Sequence, residues 1–376
     1  MDSAWKPWIR ACVTLAFLWS LLGTAQAHGS DWTIQVVDPD GGTGALAYDT
    51  ADGHPSVAYY TKSVVTKGKK EKHVTEMMFA HWDGSAWQTE SVDSRIGSGD
   101  KTADIAYDAT GAPTLAYAWN IGEVTFARFD GSSWGIETVD NEQDVNGISL
   151  AYDADGSPAV SYVARVRKTL ELKFARWTES GWDVETVDDD LWSPERRLTI
   201  FIHDKKSSLA FDPNTGDRTI AYSARTGDSQ AADTLRFARW NGSTWEIEDV
   251  HRRPDLFPLR DPSHAYDPLD GRPSIAWASG TGPEGTVTVQ LAHWNGSAWD
   301  KESVEVRAWA SSLAYDSDVA SPDFGTPGAT VPPDAASARS PRPRSHVRAL
   351  AIGWADSNLI GCRPWANGVP ELECFW

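Results

Sequence analysis

A sequence repeat most constrains the fold of this chain: it consists of four short stretches and occurs six times. In each repeat, a small-Leu-Ala-Tyr-Asp stretch and a Gly/Pro turn are followed by an apolar stretch, a Phe-Ala-Arg-Trp stretch and a stretch that begins with Trp. The six copies of the first stretch begin at Ala45, Asp104, Ser149, Ser208, Ser263 and Ser312. The last stretch begins at Trp32, Trp87, Trp134, Trp182, Trp245 and Trp299. Such a repeat indicates units that bury their apolar faces against one another.

Each stretch alternates apolar and polar residues and ends in turn residues, which is typical of β-strands. The third and fourth stretches are joined by Asp-Gly or Asn-Gly, as at Asp83 and Asn241, and these residues favour tight hairpins. Four hairpin-linked strands repeated about every 40 to 60 residues predict the blades of a propeller. We therefore predict an all-β, six-bladed β-propeller of four-stranded antiparallel blades. Strands A to D follow chain order, with A innermost and its Ala residues facing the central channel.

The order of the stretches predicts how the ring closes. The chain begins with a lone D-like strand, Trp32 to Val37, and ends with the A, B and C strands of the sixth blade at 312–316, 347–354 and 359–365. The N-terminal strand would complete that blade and leave no open sheet edge. The segment 367–373 also resembles a hairpin and could take the same place. Cys362 and Cys374 are expected to form a disulfide that holds this C-terminal tail.

The first 27 residues have the features of an export signal. Lys6 and Arg10 precede an apolar run at 11–23, which is shorter than the roughly 20 residues that span a bilayer. We predict cleavage before His28, a secreted or periplasmic location and one propeller domain at 28–376. A low-complexity insertion rich in Pro, Ala, Ser and Arg is expected at 317–346.

The formal net charge of −19 argues against nucleic acid as a partner, because a polyanion would be repelled by this surface. Asp153-Ala154-Asp155-Gly156 is similar to the start of a calcium loop but lacks the later ligands, and turn chemistry accounts for it. We therefore predict no metal site and no cofactor. The chain is expected to be a monomer without a membrane span.

The repeated units resemble the Ser-Leu-Ala-x-Asp, Gly-x-Pro and Trp-x-Gly-Ser-x-Trp motifs of secreted bacterial β-propeller proteins over residues 32–365. They are also distantly similar to the Asp-box of sialidase-type propellers, although the segment 130–134 has no residue between Asp and Gly. This resemblance implies the propeller fold. It implies no catalytic residue, because the Asp-box is a structural turn remote from the sialidase active site.

The D-to-A connections gather at the channel mouth of a propeller, and their unrepeated residues are the candidates for a binding site. Aromatic, basic and acidic side chains there suit sugar stacking and hydroxyl recognition, and they suit a protein partner as well. The predicted ligand-binding residues are Trp192, Arg196, Arg197, His203, Asp204, Arg252, Asp255, His264 and Trp309. Two alternatives stay open for some of them. Trp192 and Trp309 could cover core edges under long loops, and His264 could be an interior histidine.

We therefore predict a secreted, non-catalytic propeller that binds carbohydrate or a surface protein through this loop-rich face. The alternative is a glycan-cleaving hydrolase or lyase with carboxylates at the channel mouth. A hydrolase needs two carboxylates about 5 to 10 Å apart. Glu195, Asp204, Asp255 and Asp261 are available on that face.

Overall fold

The repeated stretches form β-strands at the predicted places. A computed structural model of the chain describes residues 35–67, 70–96, 102–119, 122–192, 206–226, 232–253, 259–280, 287–304, 310–315 and 347–352. These residues form 22 strands. None of them belongs to a helix of the length and apolarity that crosses a bilayer.

The strands form five four-stranded antiparallel sheets and one two-stranded sheet, which we number as blades 1 to 6 in chain order. Neighbouring strands in each blade are also consecutive in the chain, which confirms the predicted all-β class and the A-B-C-D order. The strands of blades 1 to 3 are β1 Gly41–Tyr48, β2 Pro55–Lys67, β3 Lys70–Trp82, β4 Trp87–Ile96, β5 Thr102–Tyr107, β6 Pro113–Trp119, β7 Glu123–Phe129, β8 Trp134–Asp140, β9 Gln143–Tyr152, β10 Pro158–Val166, β11 Thr169–Thr178 and β12 Gly181–Trp192.

Blades 4 and 5 have four strands each, and blade 6 has two strands among the described residues. Their strands are β13 Ser207–Phe211, β14 Arg218–Thr226, β15 Ala232–Trp240, β16 Trp245–Arg253, β17 Leu259–Tyr266, β18 Pro273–Gly280, β19 Val287–Trp294, β20 Trp299–Val304, β21 Ala310–Tyr315 and β22 Val347–Ile352. The C strand predicted at 359–365 lies outside the described residues, as do the predicted signal peptide, the predicted insertion at 317–346, Cys362 and Cys374.

The C-to-D hairpins have the predicted turn chemistry. In blade 1, the Asp83 carboxylate accepts hydrogen bonds from the amides of Ser85 and Ala86 at 2.8 Å, and Gly84 has a φ of 91°. Tight closure places aromatic residues opposite each other across the hairpin, as at Trp82 and Trp87, whose ring centroids are 5.7 Å apart. The predicted cross-hairpin aromatic pairing is confirmed in blades 1 to 5.

Successive blades pack face to face, and their A strands contact one another in chain order from β1 to β21. In blade 2, Ile105 belongs to the apolar cluster shared with blade 1, and Ala106 packs against the cluster shared with blade 3. The prediction that the Ala residues face the channel is therefore wrong. Side chains alternate between the two faces of a strand, and each face packs against a neighbouring blade.

Two hydrogen bonds recur between neighbouring blades, and both are accepted by the D strand of the earlier blade. Three residues after its first Trp, Glu90 accepts from Trp134 Nε1 of the next blade at 3.1 Å. Six residues after the same Trp, Asp93 accepts from the hydroxyl of Tyr117 at 3.2 Å. The first bond recurs at Glu185 and Glu248, and the second at Asp140 and Asp188.

The N-terminal segment makes the same two contacts with blade 1. Gln35 accepts from Trp87 Nε1 at 3.1 Å, and Asp38 accepts from the hydroxyl of Tyr59 at 3.1 Å. These residues follow Trp32 by the same three and six positions. Gln35 to Val37 nevertheless have no strand partner, and residues 32–34 lie outside the described residues. Among the described residues, the segment therefore has the side-chain contacts of a D strand without its backbone pairing.

Candidate functional site

Most residues of the predicted loop-rich face lie outside the described part of the chain. These are Arg196, Arg197, His203, Asp204, Asp255 and Trp309. Their place in a binding site remains a prediction. Trp192, Arg252 and His264 can be located.

Trp192 ends β12 opposite Leu170, and its indole packs half-buried against the apolar cluster shared by blades 3 and 4. Its Nε1 is excluded from solvent and has no hydrogen-bond partner. This packing covers a core edge, which was one of the two alternatives for Trp192. Arg252 lies exposed on β16 opposite Thr234. A ligand-binding role remains a prediction for both residues.

His264 lies inside the interface between blades 4 and 5. Its ring contacts Phe237 and Tyr266 at centroid distances of 5.3 and 5.1 Å, and only 6% of the residue is exposed. Both ring nitrogens are excluded from solvent without a hydrogen bond, and burial, together with the charge of Arg239, lowers the pKa to about 3. The prediction of His264 as a channel-mouth ligand residue is therefore corrected. It is a neutral interior histidine.

The described residues form a groove of about 610 Å³ between blades 1 and 2. It opens beside the A-to-B turn and the C-to-D hairpin of blade 2, on the face opposite to the D-to-A connections. Its lining combines aromatic rings with acidic, basic and hydroxyl groups, contributed by Asp49, Phe79, His81 and Glu90 of blade 1 and by Tyr107, Thr110, Pro113, Arg128, Phe129 and Asp130 of blade 2.

Arg128 is the cation of this groove, and Asp108 holds it in place. The guanidinium Nε donates to Asp108 Oδ2 at 2.7 Å, while 52% of the Arg128 side chain stays exposed. Burial alone would raise the pKa of Asp108, but hydrogen bonds from Thr110, Ala112 and Arg128 outweigh it and keep that pKa below its usual value. The fixed charge pair therefore presents guanidinium N–H groups to whatever enters the groove.

Glu90 and the aromatic rings complete the groove. Glu90 is exposed, and its Oε1 accepts from Trp134 Nε1, which leaves Oε2 outside that bond. Trp134 packs edge-on against Phe79 and tilted against Phe129, at centroid distances of 5.3 and 5.4 Å. Phe129 is half-buried and lines the groove. Acceptor, donor and aromatic surface are thus held by contacts that recur in other blades.

The interface between blades 3 and 4 has the same arrangement of aromatic rings and a carboxylate. In this interface, however, an arginine side chain occupies the place of the groove. The guanidinium of Arg218 lies 4.0 Å from the ring centroid of Trp240 and 4.8 Å from that of Phe174. Its Nη2 donates to Glu185 at 2.7 Å, and Glu185 also accepts from Trp245 Nε1. These residues correspond to Phe129, Phe79, Glu90 and Trp134 of the first interface. Arg218 therefore fills the place that is open between blades 1 and 2.

The difference comes from the first residue of strand B. That residue is Arg218 in blade 4 and proline in blades 1, 2, 3 and 5, including Pro113 at the open groove. Proline ends at its short ring, whereas arginine reaches the neighbouring blade. The groove was not predicted from the sequence, because its residues lie at repeated positions, which indicate structural packing. The nearest sequence signal is the single Pro-to-Arg change at Arg218, which marks the filled interface and not the open one.

No protein family matches the chain, and no curated protein matches its sequence. Among solved structures, the SapL1 lectin in complex with alpha methyl fucoside is 13% identical, with a TM-score of 0.46 over 73% of this chain and 84% of that one. An alpha-L-arabinanase of Penicillium chrysogenum complexed with arabinobiose is 11% identical, with a TM-score of 0.46 over 77% and 87%. A PL25 ulvan lyase is 13% identical, with a TM-score of 0.43 over 71% of each chain. Similarities of this size carry no information on what this chain binds.

Proposed function

We propose that this chain is a six-bladed propeller that binds carbohydrate, without cleaving it, in the groove between blades 1 and 2. The observation that carries the proposal is that this groove is open where Arg218 fills its counterpart. The volume of about 610 Å³ lies within the roughly 300 to 1,000 Å³ of small-molecule sites. An export signal at 1–27 would place the site where extracellular glycans occur.

The chemistry of the lining suits a saccharide. Sugar hydroxyls both donate and accept hydrogen bonds, and Arg128 offers fixed donors while Glu90 offers an acceptor. The C–H face of a pyranose packs on an aromatic ring, and the half-buried ring of Phe129 lies at the groove. Charged groups already held by neighbours lose little conformational entropy when a ligand binds.

A guanidinium group from a protein partner is the second candidate ligand. Arg218 favours it, because an arginine side chain already fits between the aromatic rings and the carboxylate of the equivalent interface. Arginine is also enriched among residues that dominate protein interfaces. In this case the groove would bind one arginine of an exposed peptide segment.

The glycan-cleaving alternative finds less support in the groove between blades 1 and 2. A general acid needs a raised pKa, but the pKa of Asp130 is lowered to about 2 by hydrogen bonds, first from the Ser132 side chain. On the loop-rich face, Asp261 pairs with Lys206, while Glu195, Asp204 and Asp255 lie outside the described residues. Binding without cleavage is therefore the proposal.

Closure of the ring by the N-terminal segment is part of the proposal. Gln35 and Asp38 support it, because they contact Trp87 and Tyr59 as the D strands of other blades contact theirs. Deletion of residues 28–38 should lower the melting temperature by many degrees, since it removes both bonds and exposes a blade face. An unchanged melting temperature would assign closure to segment 367–373 instead.

The binding proposal is tested on the purified mature protein with a glycan array, followed by calorimetric titration of the best glycan. Arg128→Gln and Glu90→Gln should each weaken binding about tenfold or more, because one good polar contact contributes roughly 1.4 kcal/mol. Trp309→Ala is the matched control on the loop-rich face and should bind normally. Melting curves for each variant separate lost binding from lost folding.

Each other result has a definite meaning. Loss of binding in Trp309→Ala alone would move the site to the loop-rich face. Binding of arginine-containing peptides, with no glycan bound, would replace carbohydrate by the second candidate. Glycan cleavage detected by chromatography would overturn the non-catalytic assignment.

A further inference from the structure

The A-to-B turn of blade 1 places Asp52 and His54, two residues whose side chains can bind metal ions, beside the C strand. The amide of Asp49 donates to the carbonyl of His54 at 2.8 Å, and the amide of His54 donates to Asp52 Oδ1 at 2.7 Å. Gly53 between them has a φ of 74°, which lets the chain turn back so closely. Asp52, His54 and His81 of β3 consequently form one cluster.

The geometry of this cluster is compatible with a metal site. Asp52 Oδ2 lies 3.4 Å from His54 Nδ1 and 3.1 Å from His81 Nε2. One ligand atom from each residue lies within 4.8 Å of the other two. Zinc–ligand bonds of about 2.0 to 2.1 Å in a tetrahedron separate adjacent ligand atoms by about 3.3 to 3.4 Å. The two measured distances lie close to that separation.

His81 is oriented from behind by a buried hydroxyl. Its Nδ1 lies 2.8 Å from Ser56 Oγ, and Ser56 is fully buried beside the hydroxyl of Tyr107 at 2.6 Å. With the proton on Nε2, His81 donates to Asp52 Oδ2 at 3.1 Å; with the proton on Nδ1, His81 donates to Ser56 and its Nε2 lone pair is available to a cation beside Asp52. The second form is the usual arrangement of a metal-binding histidine, whose second nitrogen is fixed by a neighbour.

His54 adds an independent observation. Its Nδ1 is excluded from solvent and makes no hydrogen bond, although the ring as a whole is partly exposed. A nitrogen excluded from water normally has a polar partner. This nitrogen faces Asp52, and a shared cation would satisfy both groups.

Other blades have a cation of their own at this place. Arg128 and Arg176 occupy the position of His81 in blades 2 and 3, and they pair with the turn carboxylates Asp108 and Asp153. Blade 5 has His293 there, 3.4 Å from Asp270. Its turn carries Arg272 where blade 1 has His54, and that guanidinium lies 3.9 Å from Asp270. The blade 1 cluster has imidazoles in both places.

Ser56, His81 and Asp52 also follow the order of a catalytic triad, but burial excludes that role. Ser56 has no exposed surface, and Tyr107 occupies its other side. A substrate carbonyl could not reach its Oγ. The same Ser-His-Asp contacts recur at Ser274, His293 and Asp270, as expected for a structural element of the turn.

We propose that Asp52, His54 and His81 bind one divalent transition-metal ion of the zinc type, with a fourth position open to solvent. Two imidazoles and one carboxylate are a donor set that zinc accepts. His81 also lines the groove between blades 1 and 2, so the ion would lie at the rim of that groove. The proposal does not depend on which ligand the groove binds.

The test is titration of the chelator-treated mature protein with Zn²⁺ by calorimetry, and with Co²⁺ by visible absorption. We expect one ion per chain and the intense absorption bands of tetrahedral Co²⁺. His54→Arg, which copies blade 5, should weaken binding roughly a hundredfold or more and abolish the bands. His293→Ala in blade 5 is the matched control and should leave affinity unchanged.

Asp52→Asn provides a second variant in case His54→Arg unfolds, and melting curves establish the fold of each. Equal affinity in the wild-type protein and in a folded His54→Arg or Asp52→Asn variant would overturn the proposal. Loss of binding in His293→Ala alone would assign the ion to blade 5 and equally overturn it. Ser56→Ala should weaken binding about 10 to 100-fold if the hydroxyl orients His81.

Discussion

The interface between blades 1 and 2 and the interface between blades 3 and 4 share one framework and differ in what occupies it. Both have a Phe on strand C, a Trp on the next D strand and a Glu that accepts from that Trp. Only the second contains Arg218, which stacks on the rings and pairs with the Glu. The comparison shows that the repeated residues hold neighbouring blades together, while the first residue of strand B distinguishes the filled interface from the open one.

A second difference lies deeper in the same two interfaces. Ser56 of blade 1 bonds the hydroxyl of Tyr107 in blade 2 at 2.6 Å. The equivalent residues of blades 3 and 4 are Ala159 and Phe211, which belong to one apolar cluster. Ala159 lacks the hydroxyl of Ser56, and Phe211 lacks the hydroxyl of Tyr107. Because both hydroxyls are absent, the interface between blades 3 and 4 contains no single buried hydroxyl without a partner at this place. The interface that contains Arg218 is thus the more apolar one at this position.

Truncation of the repeated Trp should have the largest effect, and the two interfaces should respond unequally. Trp134→Ala removes contacts with Phe79 and Phe129, and it should lower the free energy of unfolding by about 3 kcal/mol. Trp245→Ala also removes a ring under Arg218 and should cost more, about 4 to 5 kcal/mol. Urea unfolding of both variants measures the difference. A larger loss in Trp134→Ala would contradict the view that Arg218 reinforces its interface.

Removal of the Arg218 side chain, which we call the plug of the interface between blades 3 and 4, should have the next largest effect on stability. Arg218→Ala should lower the free energy of unfolding by about 2 kcal/mol, because Glu185 loses a partner and Trp240 loses its cover. The matched control is Arg128→Ala, whose guanidinium is half exposed, and it should cost less. Equal losses in the two variants would mean that Arg218 is not a structural plug.

Local chemistry explains which parts of this fold could be predicted from the sequence. Hairpins depend on neighbouring residues such as Asp83 and Gly84, so strand order followed from the repeat. The contacts of Gln35 and Asp38 could also be predicted from the sequence. These two residues follow Trp32 by the same spacing as Glu90 and Asp93 follow Trp87. The predicted strand ended at Val37 and therefore missed Asp38.

The groove and the cluster of Asp52, His54 and His81 could not be predicted in the same way, because both depend on residues far apart in the chain. Arg218 contacts Glu185 of the preceding blade, and His81 of strand C contacts Asp52 in the turn between strands A and B. The burial of His264 has the same cause. Its Leu-equivalent position faces blade 4, where Phe237 covers it, and no local pattern separates that place from the channel mouth.

Copying the plug into the open groove should change binding more than stability. Pro113→Arg places an arginine at the position of Arg218, within reach of Glu90 and Phe129, and should weaken ligand affinity at least tenfold, or about 1.4 kcal/mol. Titration with the ligand identified on the array measures this loss, and Pro158→Arg at the next interface is the matched control. Undiminished affinity in folded Pro113→Arg protein would place the ligand elsewhere.

The smallest expected effect concerns the missing hydroxyl pair between blades 3 and 4. Phe211→Tyr alone should place a hydroxyl beside the methyl group of Ala159, and Ala159→Ser alone should bury a hydroxyl beside a phenyl ring, each costing about 1 kcal/mol. Together the two substitutions recreate the bond of Ser56 with Tyr107. The double variant should therefore be about 1 kcal/mol more stable than the sum of the single effects predicts. Urea unfolding of the four proteins gives this coupling energy. A coupling energy within error of zero would mean that the two hydroxyls do not stabilise each other. The difference between Ser56 with Tyr107 and Ala159 with Phe211 would then contribute nothing to the free energy of unfolding.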